Sequence, residues 1–173
     1  MLTVHRPVNA DDPAALEQIL FGINDLDLPV VFPMHPRTRA RNPAAPAGQY
    51  HNIKIIEPVG YLDSLALTHQ ARLAVTDSGG LQKEALFLGA PCVTLRGETE
   101  WTETLELGMN ALTGDRPEAA RLKQVAIEML GKHGMKETKS SLERENILKQ
   151  FFGPSDVANQ IIVAVVNYLD SQC

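Results

Sequence analysis

The sequence has few of the features that mark an extracellular, metal-binding or membrane-spanning protein. It contains two cysteines, Cys92 and Cys173, in 173 residues, too few for a disulfide framework. Cys92 lies in an apolar run that predicts a buried strand. No paired cysteine or histidine spacing of a metal site occurs, and no apolar run approaches the ~20 residues of a membrane span. These absences favour a cytoplasmic protein without a bound metal.

A clustered basic face is also missing. The net charge is −5, and lysine and arginine are scattered along the chain, which excludes the footprint of a nucleic-acid-binding protein. The first residues lack the basic, apolar and small-residue progression of a signal peptide. With 44% apolar and 21% charged residues, the chain has the composition and length of one globular domain.

Apolar runs and amphipathic stretches alternate along the chain. They predict strands at 2–4, 29–33, 53–56, 73–76, 91–95 and 111–113. They also predict one helix that begins at Pro13, and further helices over 61–68, 81–88, 100–107, 117–130, 141–152 and 155–169. Residues 36–51 are rich in proline, alanine and glycine and predict a loop with at most a broken helix. Such alternation predicts an α/β fold of three layers around a parallel sheet.

Short polar segments follow the predicted strands. Because the carboxyl ends of parallel strands share one edge of a sheet, the residues after each strand converge there, and ligands bind at that edge. The residues in this position are His5, His35, Pro58, Asp77, Ser78 and Arg96. The sequence therefore predicts one ligand site at this edge.

The run T-D-S-G-G-L-Q-K-E-A at 76–85 is the most informative segment about function. An apolar strand ends at Thr76, and Leu81, Ala85 and Leu88 recur at helical spacing, so the glycine pair lies at a helix start. Free N–H groups and the positive end of the helix dipole bind anions there, and glycine lets a phosphate approach the backbone. These residues alone allow two interpretations, a diphosphate site and an ordinary strand-to-helix turn.

Six motifs together resemble one known family. They are H-R at 5–6, P-M-H-P-R-T at 33–38, I-I-E-P-V-G-Y-L at 55–62, the 76–85 run, G-A-P-C-V-T-L-R at 89–96 and E-T-E-W-T-E at 98–103. In order and spacing they resemble the non-hydrolysing UDP-N-acetylglucosamine 2-epimerases, over nearly the whole chain but only the second half of the family's protein. The resemblance implies a Rossmann-like fold, equivalent to the C-terminal, UDP-binding half of a two-domain, glycosyltransferase-B-like enzyme.

The resemblance also implies a reaction and a set of site residues. The family removes the C2 proton of UDP-GlcNAc, expels UDP to leave a 2-acetamidoglucal, and adds UDP back with C2 inverted, giving UDP-ManNAc. No cofactor or metal is implied. His5 corresponds to the catalytic histidine. The implied diphosphate contacts are Arg6, Ser78, Gly79, Gly80 and Arg96; the implied ribose and uracil contacts are Glu84, Pro58, Tyr61 and Leu62; His35 and Glu100 are two further candidates.

Ordinary structural roles stand beside these assignments. A lone histidine is more often a surface or core residue, and a glutamate at the place of Glu84 is normally a solvated helix residue.

The resemblance further implies what accompanies this chain. Residues 1–173 are expected to be one UDP-sugar-binding domain, with helices over 141–169 as its C-terminal extension. The expected partners are a UDP-sugar substrate, a missing N-terminal domain of the same polypeptide that carries the proton-moving carboxylates, and a second copy in a homodimer, with no nucleic acid and no membrane. The isolated chain is then expected to be inactive.

Two other functions remain open at this level. A glycosyltransferase donor domain would also hold a UDP-sugar at a helix start, and a non-catalytic nucleotide-binding module would describe the chain if the partner domain is truly missing. The sugar also stays open between UDP-GlcNAc and a 2,3-diacetamido uronic acid relative.

Overall fold

The structure, a computed structural model, describes residues 1–42, 49–132, 139–153 and 156. The chain divides into two compact units, Met1–Thr138 and Lys139–Cys173. Within the described residues, no helix combines the length and apolarity that a bilayer crossing requires.

The first unit alternates short strands with helices. Its strands are β1 (Leu2–Thr3), β2 (Val30–Pro33), β3 (Ile53–Ile56), β4 (Ala74–Thr76), β5 (Cys92–Thr94) and β6 (Asn110–Leu112). Its helices are α1 (Pro7–Ala10), α2 (Pro13–Asn24), α3 (Pro36–Arg41), α4 (Tyr61–Gln70), α5 (Gly79–Leu88), α6 (Thr102–Glu106) and α7 (Ala119–Leu130). The strand positions agree with those predicted from the sequence.

Every strand pair in these residues is parallel. Hydrogen bonds join the strands in the order β1-β4-β5-β6, with β2 and β3 as a separate pair. β2 lies in contact with β1, so the strands follow the spatial order β3-β2-β1-β4-β5-β6. This is the doubly wound order, in which the connections reverse direction at β1.

Side-chain alternation along the strands separates the helices into two outer layers. Val75 and Val93 belong to the main core, together with the apolar faces of α2 and α7. Their neighbours Ala74 and Cys92 pack on the opposite face with Ala85 of α5. The predicted three-layer fold with a parallel sheet is therefore confirmed.

Local signals in the sequence set the ends of the main helices. The Asp12 side chain accepts from the N–H groups of Ala14 and Ala15 and caps α2, with Pro13 in its first turn. α5 ends at Gly89, whose φ of 73° lies in the left-handed region that favours glycine. These ends fix where the chain enters and leaves the edge of the sheet.

The second unit begins with one described helix, α8 (Ser141–Phe152). Ser140 and Glu143 form a reciprocal capping box at its start. The helix predicted over 155–169 lies outside the described residues.

Candidate functional site

The first unit has a crevice at the point where the sheet changes direction. The chain leaves β1 through α1 and α2 toward β2, and leaves β4 through α5 toward β5 on the other side. The loops after these two adjacent strands therefore separate, and ligands of doubly wound sheets bind in that gap. His5 and Arg6 come from the first loop, and Asp77 and Ser78 from the second.

A buried carboxylate joins the two loops. Asp77 is fully buried, and its oxygens accept from the backbone N–H of His5 at 3.1 Å, the N–H of Arg6 at 2.9 Å and the side-chain amide of Asn9 at 3.1 Å. The Nδ1 atom of His5 lies 3.1 Å from the same carboxylate. The backbone and the ring of His5 are therefore both held against the end of β4.

The start of α5 offers donors to an anion. The Ser78 hydroxyl oxygen accepts from the N–H of Leu81 at 3.3 Å and caps the helix. The N–H groups of Gly79 and Gly80 belong to the first turn, where no intrahelical acceptor exists. Because the Ser78 oxygen accepts that bond, its hydroxyl hydrogen stays able to donate.

Gly80 lies between two polar side chains. A Cβ built on Gly80 would lie 3.8 Å from the Ser78 hydroxyl oxygen and 3.9 Å from a carboxylate oxygen of Glu84. Ser78, Gly80 and Glu84 therefore share one face of the first turns of α5. Any side chain at position 80 would occupy the space between the hydroxyl and the carboxylate.

Gly79 is in contact with an acidic side chain from the loop after β5. A Cβ on Gly79 would overlap a carboxylate oxygen of Glu100, so a side chain at position 79 would displace that carboxylate. Arg96 donates to the other oxygen at 2.7 Å. A hydrogen bond to its own backbone and the bond from Arg96, together with attraction to Arg96 and Arg6, lower the pKa of Glu100. The Arg96 guanidinium therefore pairs with a carboxylate that lies at the start of α5.

A small cavity of about 180 Å³ lies beside His5. It is lined in part by His5, His35, Pro58 and Val59, so the structure brings together three residues from the sequence-predicted set. His35 also has a structural role, because its Nδ1 accepts from the N–H of Arg37 at 3.2 Å and caps α3.

The other predicted contacts are not among the residues that line this cavity. Tyr61 and Leu62 begin α4, and their side chains are 64% and 76% exposed. The loop after β3 places them on the same edge of the sheet as Pro58, and their assignment to uracil stays a prediction.

A larger cavity of about 320 Å³ opens at the opposite, amino-terminal edge of the strands. Its lining is mostly apolar, with Leu26, Leu28, Leu73 and Leu130 among the residues that surround it. Gln70 and Arg72 are the polar side chains in its lining, and none of the site residues predicted from the sequence lies there.

Sequence reasoning gave no role to two residues that the structure places at the site. Asp77 was noted only as a residue after a strand. Gln82 is also fully buried: its amide donates to the Ser78 carbonyl at 3.2 Å, and its oxygen accepts from Thr99 at 2.6 Å and Asn110 at 3.2 Å. Gln82 thereby links the start of α5 to the loop that carries Glu100. The position of Asp77 directly before Ser78 was the one available signal.

Across the part of the chain that the structure describes, no three histidine, cysteine, aspartate or glutamate side chains group as metal ligands.

The fold and the site define a doubly wound α/β protein with a helix start at its crevice, the class that contains many nucleotide-binding domains. A family model described as UDP-N-acetylglucosamine 2-epimerase matches residues 1–166. The chain belongs to this family.

Individual relatives agree with the family match. The UDP-N-acetylglucosamine 2-epimerase of Methanocaldococcus jannaschii is 45% identical over 126 residues, 68% of this chain and 34% of that protein. The UDP-2,3-diacetamido-2,3-dideoxy-D-glucuronate 2-epimerase of Pseudomonas aeruginosa is 44% identical over 117 residues, 66% of this chain and 32% of that protein. The chain spans about a third of the length of these curated relatives.

A solved structure supports the same relationship. The crystal structure of the Methanocaldococcus jannaschii UDP-GlcNAc 2-epimerase in complex with UDP-GlcNAc and UDP matches with a TM-score of 0.69 and 39% identity. The match covers 86% of this chain and 43% of that one. The described fold is therefore that of a Rossmann-like half of such an enzyme.

Proposed function

We propose that this chain is the UDP-binding half of a UDP-N-acetylglucosamine 2-epimerase, which interconverts UDP-GlcNAc and UDP-ManNAc by elimination and re-addition of UDP. The observation that carries the proposal is the arrangement of Ser78, Gly80 and Glu84 on one face of α5, next to the loop that holds His5. A diphosphate and a ribose are adjacent groups of UDP, and this face offers donors to the first and an acceptor to the second.

The start of α5 binds the diphosphate in this proposal. The N–H groups of Gly79 and Gly80 and the hydroxyl of Ser78 donate to phosphate oxygens, and the helix dipole adds positive potential. Arg6 and Arg96 supply the formal charge that a leaving diphosphate requires. The negative charge that develops as the C1–O bond breaks is thereby neutralised.

The nucleoside extends from the diphosphate along the same edge. The Glu84 carboxylate accepts from the ribose hydroxyl groups, since it lies one helical turn beyond Gly80. Pro58, Tyr61 and Leu62 flank the uracil, and the exposure of the last two side chains leaves apolar surface for a base to cover.

His5 acts at the leaving group. As an imidazolium it donates a proton to the diphosphate oxygen during departure and recovers it on return. The base that removes the C2 proton belongs to the N-terminal domain expected in the complete polypeptide, where we also place the remaining sugar contacts. A homodimer and a cytoplasmic location complete the proposal.

A second candidate concerns the sugar alone. The 44% identity to the Pseudomonas aeruginosa relative is close to the 45% identity to the Methanocaldococcus jannaschii UDP-GlcNAc enzyme, and it favours a UDP-linked 2,3-diacetamido uronic acid as the alternative substrate. The UDP-binding residues serve both sugars, and the family match supports an epimerase over a glycosyltransferase donor domain or a non-catalytic module.

Calorimetric titration with UDP tests the site assignment. Ser78→Ala and Glu84→Ala each remove hydrogen bonds worth about 1 kcal/mol, so each is expected to weaken UDP binding about fivefold. Glu17→Ala is the control, because Glu17 is likewise a helix carboxylate but lies exposed on α2, away from the start of α5. Equal UDP affinity in the wild type and both site variants would contradict the assignment.

A further inference from the structure

Asp77 is a fully buried carboxylate at the site, with 0% of its surface exposed. A buried charge is costly unless hydrogen bonds and charges compensate it. Three donors do so: the N–H groups of His5 and Arg6 in the loop after β1, and the side-chain amide of Asn9 in α1. These bonds explain how the loop is held in place.

The contact with the imidazole is separate from this anchoring. The Oδ2 atom of Asp77 accepts from Arg6, from Asn9 and, at 3.2 Å, from the His5 N–H, whereas Oδ1 accepts only the His5 N–H at 3.1 Å. Oδ1 therefore keeps acceptor capacity, and it lies 3.1 Å from His5 Nδ1. The His5 side chain is 45% exposed, so its ring does not need the contact for its own solvation. The contact instead selects one orientation and one protonated nitrogen of an otherwise accessible ring.

We propose that Asp77 is the positioning residue for His5, holding the imidazole proton on Nδ1 so that Nε2 is the atom that exchanges protons with the ligand. The inference rests on the proposed function for its chemical meaning. In the elimination step the C1–O bond breaks, its electron pair stays on the diphosphate oxygen, and that oxygen takes the Nε2 proton. His5 is left as the neutral Nδ1–H tautomer, which can recover the same proton when UDP returns.

Nitrogen NMR of the histidine rings tests the positioning in the chain itself. At about pH 9, where imidazoles are neutral, we expect the Nδ1–H tautomer for His5, with the signal assigned by its loss in His5→Gln. His35 is an internal control with the opposite expectation, because its Nδ1 accepts from the N–H of Arg37 and its proton must lie on Nε2. Asp77→Asn should shift His5 toward the Nε2–H form and leave His35 unchanged.

The wild-type measurement decides the matter even if Asp77→Asn folds poorly. A wild-type His5 in the Nε2–H form, or in a mixture of both forms, would overturn the proposal. An unchanged His5 tautomer in a folded Asp77→Asn protein would overturn it as well.

Kinetics of the complete polypeptide give a second readout. Asp77→Asn should lower kcat by on the order of 10²-fold and change UDP affinity little, since the donors on α5 remain. Similar losses in both quantities would point to a purely structural Asp77. If the complete wild-type polypeptide is inactive, the proposed function fails, whereas the tautomer result still stands or falls by itself.

Discussion

Glu100 lies where an incoming diphosphate would bind. Its carboxylate lies against Gly79 and pairs with Arg96. It therefore lies at the start of α5 and pairs with one of the two arginines that we propose bind the diphosphate. Neutralising Glu100 should free Arg96 to contact a phosphate. It should also remove the repulsion between the Glu100 carboxylate and the diphosphate. We predict that Glu100→Gln tightens UDP binding about two- to fivefold, the effect of about 0.3 to 1 kcal/mol for one charge at a helix end.

The control for this prediction is Glu98→Gln, which neutralises an exposed carboxylate of the same loop. Calorimetry should show unchanged UDP affinity for it. Weaker UDP binding by Glu100→Gln would instead support the direct substrate contact that the family resemblance implied for Glu100.

Cys92 is a buried free cysteine, and we expect its thiol to be unreactive in the folded protein. Burial raises its pKa to about 12, so roughly one thiol in 10⁴ is the reactive thiolate at pH 8. In a Cys173→Ala background, which leaves Cys92 as the single thiol, we predict no labelling by a disulfide reagent under native conditions. Complete labelling is expected in denaturant, and rapid native labelling would contradict the buried position of β5.

At the scale of elements, the packing of α2 on α7 depends on one glycine. A Cβ on Gly22 would lie 2.7 Å from the carbonyl oxygen of Ala119, a backbone atom that moves only with its helix. Gly22→Ala gains about 1 kcal/mol of helix propensity and costs about 2 kcal/mol of overpacking. We therefore predict a net loss of about 1 kcal/mol in the free energy of unfolding, measured in urea.

Gly131→Ala is the comparison, because Gly131 has a φ of −72° and a Cβ there would approach its nearest neighbour, the carbonyl oxygen of Glu128, at 3.5 Å. It should be neutral or stabilising by about 0.4 to 1 kcal/mol. A Gly22→Ala protein as stable as this variant would show that the two helices can separate without cost.

Sequence patterns predicted the helices and strands whose positions are set by residues close to them in the chain. Apolar periodicity located the strands, Asp12 and Pro13 marked the start of α2, and the glycine pair marked α5. Helix α1 (Pro7–Ala10) was missed because four residues carry no readable period.

The contacts of the site were less predictable because they join distant segments. The motif located Ser78, Gly79 and Gly80, but nothing local indicated that Glu100 lies on Gly79 or that Asp77 holds His5. The ligand contacts assigned through the family resemblance stay predictions.

At the scale of the whole molecule, the proposed function assigns to this chain the binding and departure of UDP, but not the removal of the C2 proton. Removal of the weakly acidic C2 proton requires a positioned base, worth ~10²- to 10⁴-fold in rate, which we place on the expected N-terminal domain. We predict that the 173-residue chain shows no 2-epimerase activity and that a polypeptide with the upstream domain does. NMR-monitored conversion of UDP-GlcNAc to UDP-ManNAc measures both.

His5→Ala in the longer polypeptide refines this prediction. It should reduce turnover far more than UDP affinity, since α5 keeps its donors. Epimerisation by the 173-residue chain would contradict the division of labour between domains, and normal turnover by His5→Ala would remove His5 from the reaction.

The central position of β1 also sets the order in which the molecule can be assembled. The pairs β2–β3, β4–β5 and β5–β6 each join strands that are consecutive in the chain. In contrast, β1 pairs with the distant β4, as in Leu2 with Val75. Closing such a long loop is entropically costly and slow. His5 and Asp77 are separated by 72 residues and meet only after that closure. We expect UDP-binding competence to return in the slowest phase of refolding, after most helical signal has recovered.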